Sequence, residues 1–150
     1  MAFTEKILTI IEDFDGNTQK FKEMLERFTQ LVIHLIETAP SLYEEIADYN
    51  ISYQFQITDM GLSHWFEIKE GQFTYGFGGR KDASITVMIP KDKFTKMLQR
   101  RVSGMDLYMR GEIKANGSLS NGFKLIKLLR SVYEYLNTLK TGARRRKLTH

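Results

Sequence analysis

The chain has no cysteine among its 150 residues, only two prolines, and no long apolar run. Without cysteine, disulfides, thiol nucleophiles and cysteine-rich zinc sites are excluded. The most apolar later window, LVIHLI at 31–36, is far shorter than the ~20 residues that a membrane span needs. The opening stretch MAFTEKILTIIEDF carries acidic residues among its apolar ones and lacks the pattern of a signal peptide. We therefore expect a cytoplasmic protein.

Charge is unevenly distributed along the chain. The 22 basic and 18 acidic residues give a net charge of +4. Five of the 22 basic residues and no acidic ones lie in residues 140–150, which leaves 17 basic against 18 acidic groups before them, a net charge of −1. We therefore predict one domain over residues 1–139, which is a normal domain size, and a basic, flexible tail over residues 140–150.

Helical periodicity dominates the first third of the chain. A short amphipathic helix is predicted over residues 4–14, and a second over residues 17–39, where apolar residues recur at the spacing of one helix face. Pro40 ends that pattern, and residues 41–49 read as a short third helix.

The period changes to two at residue 51, which indicates strands. ISYQFQITD, HWFEIKEG and QFTYGFGG are three such segments, and the short turns between them predict an antiparallel meander. SITVMI at 84–89 is predicted as a fourth strand, followed by a helix that begins at Pro90. EIKA at 112–115 is predicted as a fifth strand and residues 119–139 as a long final helix.

The glycine-containing stretch MRGEIKANGSLSNGFKLIKLL, residues 109–129, needs a separate test, because glycine before a helix can hold phosphate. Gly111 and Gly117 are separated by five residues rather than the four of a phosphate-binding loop, and no Lys-Ser or Lys-Thr pair follows Gly117. GQFTYGFGG leads into a charged loop rather than a helix, so it is no dinucleotide fingerprint either. We therefore interpret these glycines as turn residues at strand ends.

No pattern in the sequence indicates catalysis or a metal. The histidines at 34, 64 and 150 lie far apart without a carboxylate at ligand spacing. His34 lies inside an apolar helix, where we expect a core or ligand-facing polar group. The acidic pairs Glu12-Asp13 and Glu44-Glu45 suit solvated helix faces. We expect no enzyme activity and no cofactor.

Methionine is concentrated in one segment. Four of the seven methionines lie at positions 88, 97, 105 and 109, next to Leu107 and Tyr108. Methionine adapts its shape to irregular guests, but it also fills ordinary cores, so this segment alone leaves both uses open.

The order of these segments resembles the sterol carrier protein type two family of lipid-binding domains over roughly residues 20–130. The resemblance lies in FQITD, WFEIKEG, DASITVMI, the Phe94-x-x-Met97-Leu98 pattern, MRGEIKANG and GFKLIKLL. At Arg100-Arg101 the chain departs from the Gly-Lys usual in that family. The resemblance implies an α+β fold, with a five-stranded, mainly antiparallel sheet covered on one face by helices and an apolar tunnel between them.

By this resemblance the expected function is non-catalytic binding and transfer or presentation of fatty acyl chains, sterols or isoprenoids. Burying each methylene of a guest is worth roughly 0.8 kcal/mol, which makes apolar contact sufficient for binding. The residues expected to bind lipid are Phe55, Ile57, Phe66, Ile68, Phe73, Tyr75, Phe77, Val87, Ile89, Met97, Met105, Leu107, Met109, Leu119 and Phe123. Those expected to contact a head group or membrane are Arg100, Arg101, Arg110, Arg144, Arg145 and Arg146.

Two other functions stay open at this point. The basic tail suits an interaction module that contacts an anionic membrane surface or nucleic acid, although the slightly acidic remainder of the chain disfavours nucleic acid. Alternatively, the protein is an accessory subunit that holds an apolar substrate for a partner enzyme of lipid metabolism, because domains of the family that it resembles are often fused to or partnered with such enzymes and some hold an apolar substrate.

Overall fold

The computed structural model describes residues 18–148, and the side chains of residues 18–139. These residues form five helices and five strands. The helices are α1 (Thr18–Thr38), α2 (Pro40–Ile46), α3 (Lys91–Leu98), α4 (Gly104–Met109) and α5 (Leu119–Leu148). The strands are β1 (Asn50–Ile57), β2 (Leu62–Lys69), β3 (Gln72–Phe77), β4 (Ile85–Ile89) and β5 (Lys114–Gly117).

The strands form one mixed sheet in the order β3-β2-β1-β4-β5. The meander β1 to β3 is antiparallel as predicted, and β5 is antiparallel to β4. Only β1 and β4 run parallel, because the chain crosses from β3 over the sheet before it adds β4 on the other side of β1. The predicted α+β fold with a five-stranded, mainly antiparallel sheet is confirmed.

Helices cover one face of the sheet, which is called the inner face below. The apolar stripe of α1 is buried against it, as its periodicity predicted. The hydroxyl of Tyr53 on β1 donates a 2.8 Å hydrogen bond to the carbonyl oxygen of Asn121, which holds the start of α5 over the sheet. At the other end, the hydroxyl of Tyr133 donates to the carbonyl oxygen of Leu98, which joins α5 to α3.

A loop rather than a helix covers the middle of the outer face. Arg80 lies in this loop, with its guanidinium 5.0 Å from the ring centroid of Trp65 and 2.5 Å from a carboxylate oxygen of Glu67. Ser52 and Ser84 exchange hydrogen bonds between backbone N–H and hydroxyl at 3.1 and 2.9 Å. These contacts bury the polar outer positions of β1 without adding a second helical layer.

Glycine at the end of β5 is required by the backbone. Gly117 has φ +116°, and a Cβ at this position would lie 2.3 Å from the carbonyl oxygen of Ser84. Gly111 has φ +73°, which also favours glycine, although no atom would crowd its Cβ. The interpretation of these two residues as turn glycines agrees with their conformations.

Several predicted boundaries need correction. The fifth strand is Lys114–Gly117 rather than 112–115, and the third predicted helix ends at Ile46. The short helix α4 was not predicted, and the final helix continues past residue 139 to Leu148. Most of the segment predicted to be a tail is therefore helical. The helix predicted over residues 4–14 lies outside the described residues.

Candidate functional site

The inner face of the sheet presents two rows of side chains to the helices. The strand register aligns Phe77, His64, Phe55, Val87 and Ala115 across all five strands. The next row along contains Phe66 and Tyr53, whose ring centroids are 4.8 Å apart. The rows form an aromatic floor that is interrupted by one polar residue, His64.

An apolar cavity lies between this floor and helices α1, α3 and α5; we call it the inner cavity. It holds about 510 Å³ of empty space, including the part open to solvent. Its wall is apolar except at Thr29 and His64. The complete lining is Leu25, Phe28, Thr29, Val32, Phe55, His64, Phe66, Phe73, Phe94, Met97, Leu98, Leu125, Leu128 and Leu129.

A second apolar space, the outer cavity, lies over β4 and β5, beneath α4 and the first turns of α5. It holds about 590 Å³ on the same measure. The two cavities share four lining residues, Phe55, Met97, Leu125 and Leu129. The side chains of these four residues therefore lie at the boundary between the two spaces.

The outer cavity is bordered by exposed apolar side chains. Leu119 is 39% exposed, and Phe123 is 46% exposed, although both also line the cavity. Met109, at the end of α4, is 74% exposed. Leu119 and Phe123 line the cavity and Met109 follows the lining residue Tyr108, so these exposed side chains indicate the side on which the cavity opens.

A third, polar space adjoins both cavities at Met97 and Leu129; we call it the arginine cleft. Four arginines and one acidic residue, Asp106, line it. The guanidinium of Arg100 lies 5.0 Å from the ring centroid of Tyr133. Burial raises the pKa of the Tyr133 hydroxyl, which keeps it a neutral donor. The arginines are Arg100, Arg101, Arg110 and Arg130.

Backbone strain occurs in the arginine cleft. Arg100 has φ +61°, a left-handed conformation that costs a non-glycine residue about 1–2 kcal/mol. Glu70 also has positive φ, at the turn between β2 and β3, where glycine and asparagine are common. Arg100 directly follows the C-cap residue of α3, where a left-handed residue commonly ends a helix: its backbone N–H donates to the carbonyl oxygen of Met97, and the N–H of Arg101 donates to that of Lys96.

His64 is the most unusual polar group in the site. Only 2% of its surface is exposed, and three aromatic rings surround it, those of Phe66, Tyr75 and Phe77. This burial lowers the pKa of its imidazole from the usual 6.5 to about 4, so the ring is neutral at pH 7. Its Nε2 lies 3.4 Å from the hydroxyl of Thr29, and its Nδ1 has no hydrogen-bond partner.

The structure brings eight of the fifteen residues predicted to bind lipid to the two cavities. They are Phe55, Phe66, Phe73, Val87, Met97, Met105, Leu119 and Phe123. Seven line neither cavity. Of these, Ile57, Ile68, Ile89 and Leu107 are buried in the core, Tyr75 and Phe77 are half-buried on β3, and Met109 is exposed.

The predicted head-group residues divide into two sets. Arg100, Arg101 and Arg110 line the arginine cleft, whereas Arg144 to Arg146 lie beyond the side chains that the structure describes. The expectation that His34 is a core or ligand-facing group is wrong, because this residue is exposed on α1.

Sequence reasoning missed the buried histidine and its partner. His64 lies two residues before Phe66 and four before Ile68, so the alternation of β2 places it on the inner face. The alternation along β2 was therefore sufficient to predict that His64 faces the helices. Thr29 also lies within the apolar stripe of α1, four residues after Leu25. For Arg130 no sequence signal was available, because its place in the cleft depends on how α5 packs.

The described residues contain neither a metal site nor a membrane-spanning helix. Among the side chains of residues 18–139, no group of three or more metal-ligating residues lies close enough to hold a metal ion. No helix in this part of the chain combines the length and the apolar character needed to cross a membrane.

Solved structures share this fold at low sequence identity. The UbiJ-SCP2 ubiquinone synthesis protein aligns with a TM-score of 0.61 and 17% identity, covering 73% of this chain and 96% of its own. Sterol carrier protein domain 2 of Helicoverpa armigera aligns with a TM-score of 0.56 and 19% identity, covering 78% of this chain and 92% of its own.

A sec-alkylsulfatase, Pisa1 from Pseudomonas sp., aligns with a TM-score of 0.50 and 17% identity over 58% of this chain. The chain spans only 13% of the length of that enzyme. At these identities, the three likenesses show a shared fold. A search of curated proteins gave no match.

A family model gives the more direct assignment. The model described as the SCP-2 sterol transfer family matches residues 32–130, which is 99 of the 150 residues. The matched region begins within α1 and includes every strand and the first turns of α5, and therefore nearly all of both cavities. From its sequence and its fold, the chain belongs to the SCP-2 sterol transfer family.

Proposed function

We propose that the protein binds an apolar lipid reversibly in the inner and outer cavities and carries or presents it without changing it chemically. The observation that carries this proposal is the pair of apolar cavities that share Phe55, Met97, Leu125 and Leu129 between sheet and helices. A ten-carbon guest that buries its methylenes there gains about 8 kcal/mol before ordering costs, and these costs make the net affinity weaker than the micromolar value to which the gross gain corresponds.

The lipid enters, on this proposal, past the exposed side chains of Met109, Leu119 and Phe123. Local movement of α4 and the start of α5 opens the outer cavity, and a shift of Met97 or Leu129 joins it to the inner cavity. The joined space is the tunnel that the family resemblance implies. Methionine suits this role because its unbranched side chain changes rotamer at little cost.

Native mass spectrometry of gently purified protein, followed by organic extraction, tests this function directly. A co-purified lipid identifies the class of guest. Leu129→Trp fills the junction of all three spaces and should lower the affinity for a fluorescent fatty acid at least tenfold. Thr138→Trp places the same side chain at an exposed position of the same helix and should leave the affinity unchanged. Equal affinities in both variants would refute the assignment of the cavities.

We propose further that the arginine cleft holds the carboxylate or phosphate of an anionic guest. Arg100 supports this role, because its guanidinium lines the cleft and lies 5.0 Å from the ring centroid of Tyr133, which restricts its position. Guanidinium groups pair strongly with carboxylates and phosphates when they are fixed in position.

Arg100→Gly tests the effect of the Arg100 charge on guest binding without an expected loss of protein stability. The glycine relieves the left-handed backbone, so the free energy of unfolding should stay constant or increase by up to ~1 kcal/mol. The affinity for decanoate should fall several-fold, while the affinity for an uncharged guest should not change. Glu70→Gly relieves the same conformation at the distant hairpin and serves as the control. If both variants bind decanoate as the natural protein does, the cleft has no role in head-group binding.

A second function is presentation of an apolar substrate to a partner enzyme. The likeness to a ubiquinone synthesis protein over 73% of the chain favours this possibility, as do the exposed apolar residues beside the outer cavity. Lipid extraction distinguishes the two functions: an isoprenoid phenol or quinone in the extract supports presentation, whereas fatty acyl lipids support carriage. The basic segment after residue 139 is proposed to contact an anionic membrane surface in either case.

A further inference from the structure

One polar group of the inner cavity has a buried nitrogen that no protein group satisfies. His64 belongs to the central row of the aromatic floor and forms part of the cavity wall, where the other polar lining residue is Thr29. A buried imidazole nitrogen without a partner is costly, because it has left water and gained no hydrogen bond. Nδ1 of His64 is such an atom, and because almost none of its surface is accessible in this structure, a guest reaches it only when a neighbouring side chain moves aside.

The hydrogen bonds around Thr29 decide which nitrogen of His64 carries the proton. The single hydroxyl proton of Thr29 is donated to the carbonyl oxygen of Leu25 at 2.8 Å. Toward Nε2 of His64, 3.4 Å away, the Thr29 oxygen can therefore only accept, so Nε2 bears the hydrogen. In the neutral ring, Nδ1 then carries a lone pair and is an acceptor.

We propose that Nδ1 of His64 accepts a hydrogen bond from a hydroxyl group of the guest, so that the inner cavity selects lipids whose buried end carries an alcohol or a phenol. A carboxylate is a poor occupant of this position, because its oxygens offer no hydrogen to the lone pair and its charge would be buried without a counter-ion. A purely apolar end leaves Nδ1 unpaired. This inference rests on the proposed function and specifies which guests the cavity prefers.

Matched pairs of isomeric probes test the inference. The isomers 1-decanol and methyl nonyl ether contain the same atoms, but only the alcohol has a hydroxyl hydrogen. By displacement of a fluorescent fatty acid, the natural protein should bind the alcohol about tenfold more tightly, the value of one buried hydrogen bond. The phenol 4-nonylphenol and its isomer 4-octylanisole, a methyl ether, give the same comparison for an aromatic hydroxyl. If the hydroxyl compound binds more tightly than its ether in only one of the two pairs, that pair shows whether the site takes an alcohol or a phenol.

Two substitutions at the same position connect the preference to His64. His64→Phe fills the site without an acceptor and should abolish the difference between alcohol and ether. His64→Gln keeps an acceptor oxygen and should retain part of the difference. His34→Gln alters the exposed histidine of α1 and should have no effect. Thermal melting of each variant establishes that the cavity is still folded.

A spectroscopic measurement reports on the same atom. In protein labelled with 15N-histidine, the Nδ1 resonance of His64 should shift upfield when decanol binds and stay in place with the ether. If alcohol and ether bind equally and neither moves the resonance, the role of His64 is refuted and guest binding stands. If no probe binds at all, the proposed function fails instead.

Discussion

Replacing His64 should change how the stability of the protein depends on pH. Burial lowers the pKa of this imidazole from 6.5 to about 4 in the folded protein. Between these two pH values the unfolded chain binds a proton that the folded protein does not, so stability rises with pH across the window. The contribution is complete above pH 6.5 and is lost as the pH falls toward 4.

The size of the effect follows from the pKa shift. A difference of about 2.5 pKa units, at 1.36 kcal/mol each, corresponds to about 3 kcal/mol. Domains of this size are stable by about 5–15 kcal/mol, so this one residue accounts for a substantial share of the loss in acid. The carboxylates of Asp82 and Glu112, whose pKa values are lowered by Arg80 and Lys93 respectively, also lose stabilising contacts in acid.

Urea unfolding at pH 7.5 and pH 4.5 isolates the contribution of the histidine. The natural protein and His64→Gln share all carboxylates, so the difference between their pH dependences belongs to position 64. We expect the natural protein to lose about 2–3 kcal/mol more than the variant. Equal losses in the two proteins would mean that the imidazole of His64 is hydrated or charged when folded.

Three other changes test separate parts of the structure. Gly117→Ala should cost about 3 kcal/mol or more in stability, because its Cβ would lie 2.3 Å from the carbonyl oxygen of Ser84; an unchanged melting temperature would contradict this close approach. Arg80→Ala should cost about 1 kcal/mol and shift the fluorescence of Trp65, the single tryptophan, to the red; an unchanged spectrum would show that the guanidinium does not cover the ring. Truncation after Leu139 should change the affinity for the guest by less than about twofold, while it weakens binding to anionic vesicles by ~1 kcal/mol per basic residue removed. A loss of guest affinity would instead show that the last turns of α5 contribute to the cavity.

Local periodicity predicted most of the elements because each signal lies within the element itself. The alternation in ISYQFQITD produced both the strand and its inner face. The parallel pairing of β1 with β4 could not be read in this way, since nothing local to either strand states which neighbour it has. The helix α4 was missed because six residues are too few to show a period.

The apolar character of the candidate site could be predicted from the sequence, but the individual residues that line it could be predicted only in part. Apolar strand positions such as Phe55 and Phe66 line a cavity, whereas Ile57 and Ile89 alternate in the same way but pack in the core. Alternation along a strand predicts which face of the sheet a residue lies on. Whether that residue lines a cavity depends on how the helices pack over the sheet, which alternation does not predict. The same alternation places His64 on the inner face, but as a histidine it was considered only as a metal ligand or catalytic residue.

The order of the elements along the chain has a consequence for folding. The floor of the cavities comes from the strands, and among the described residues α5, which covers part of both cavities, follows all of them. During synthesis, α1 and α3 are therefore made before α5 and can cover part of the aromatic inner face first. Both cavities become fully walled only when the first turns of α5 dock, so their enclosure belongs to the final stage of folding.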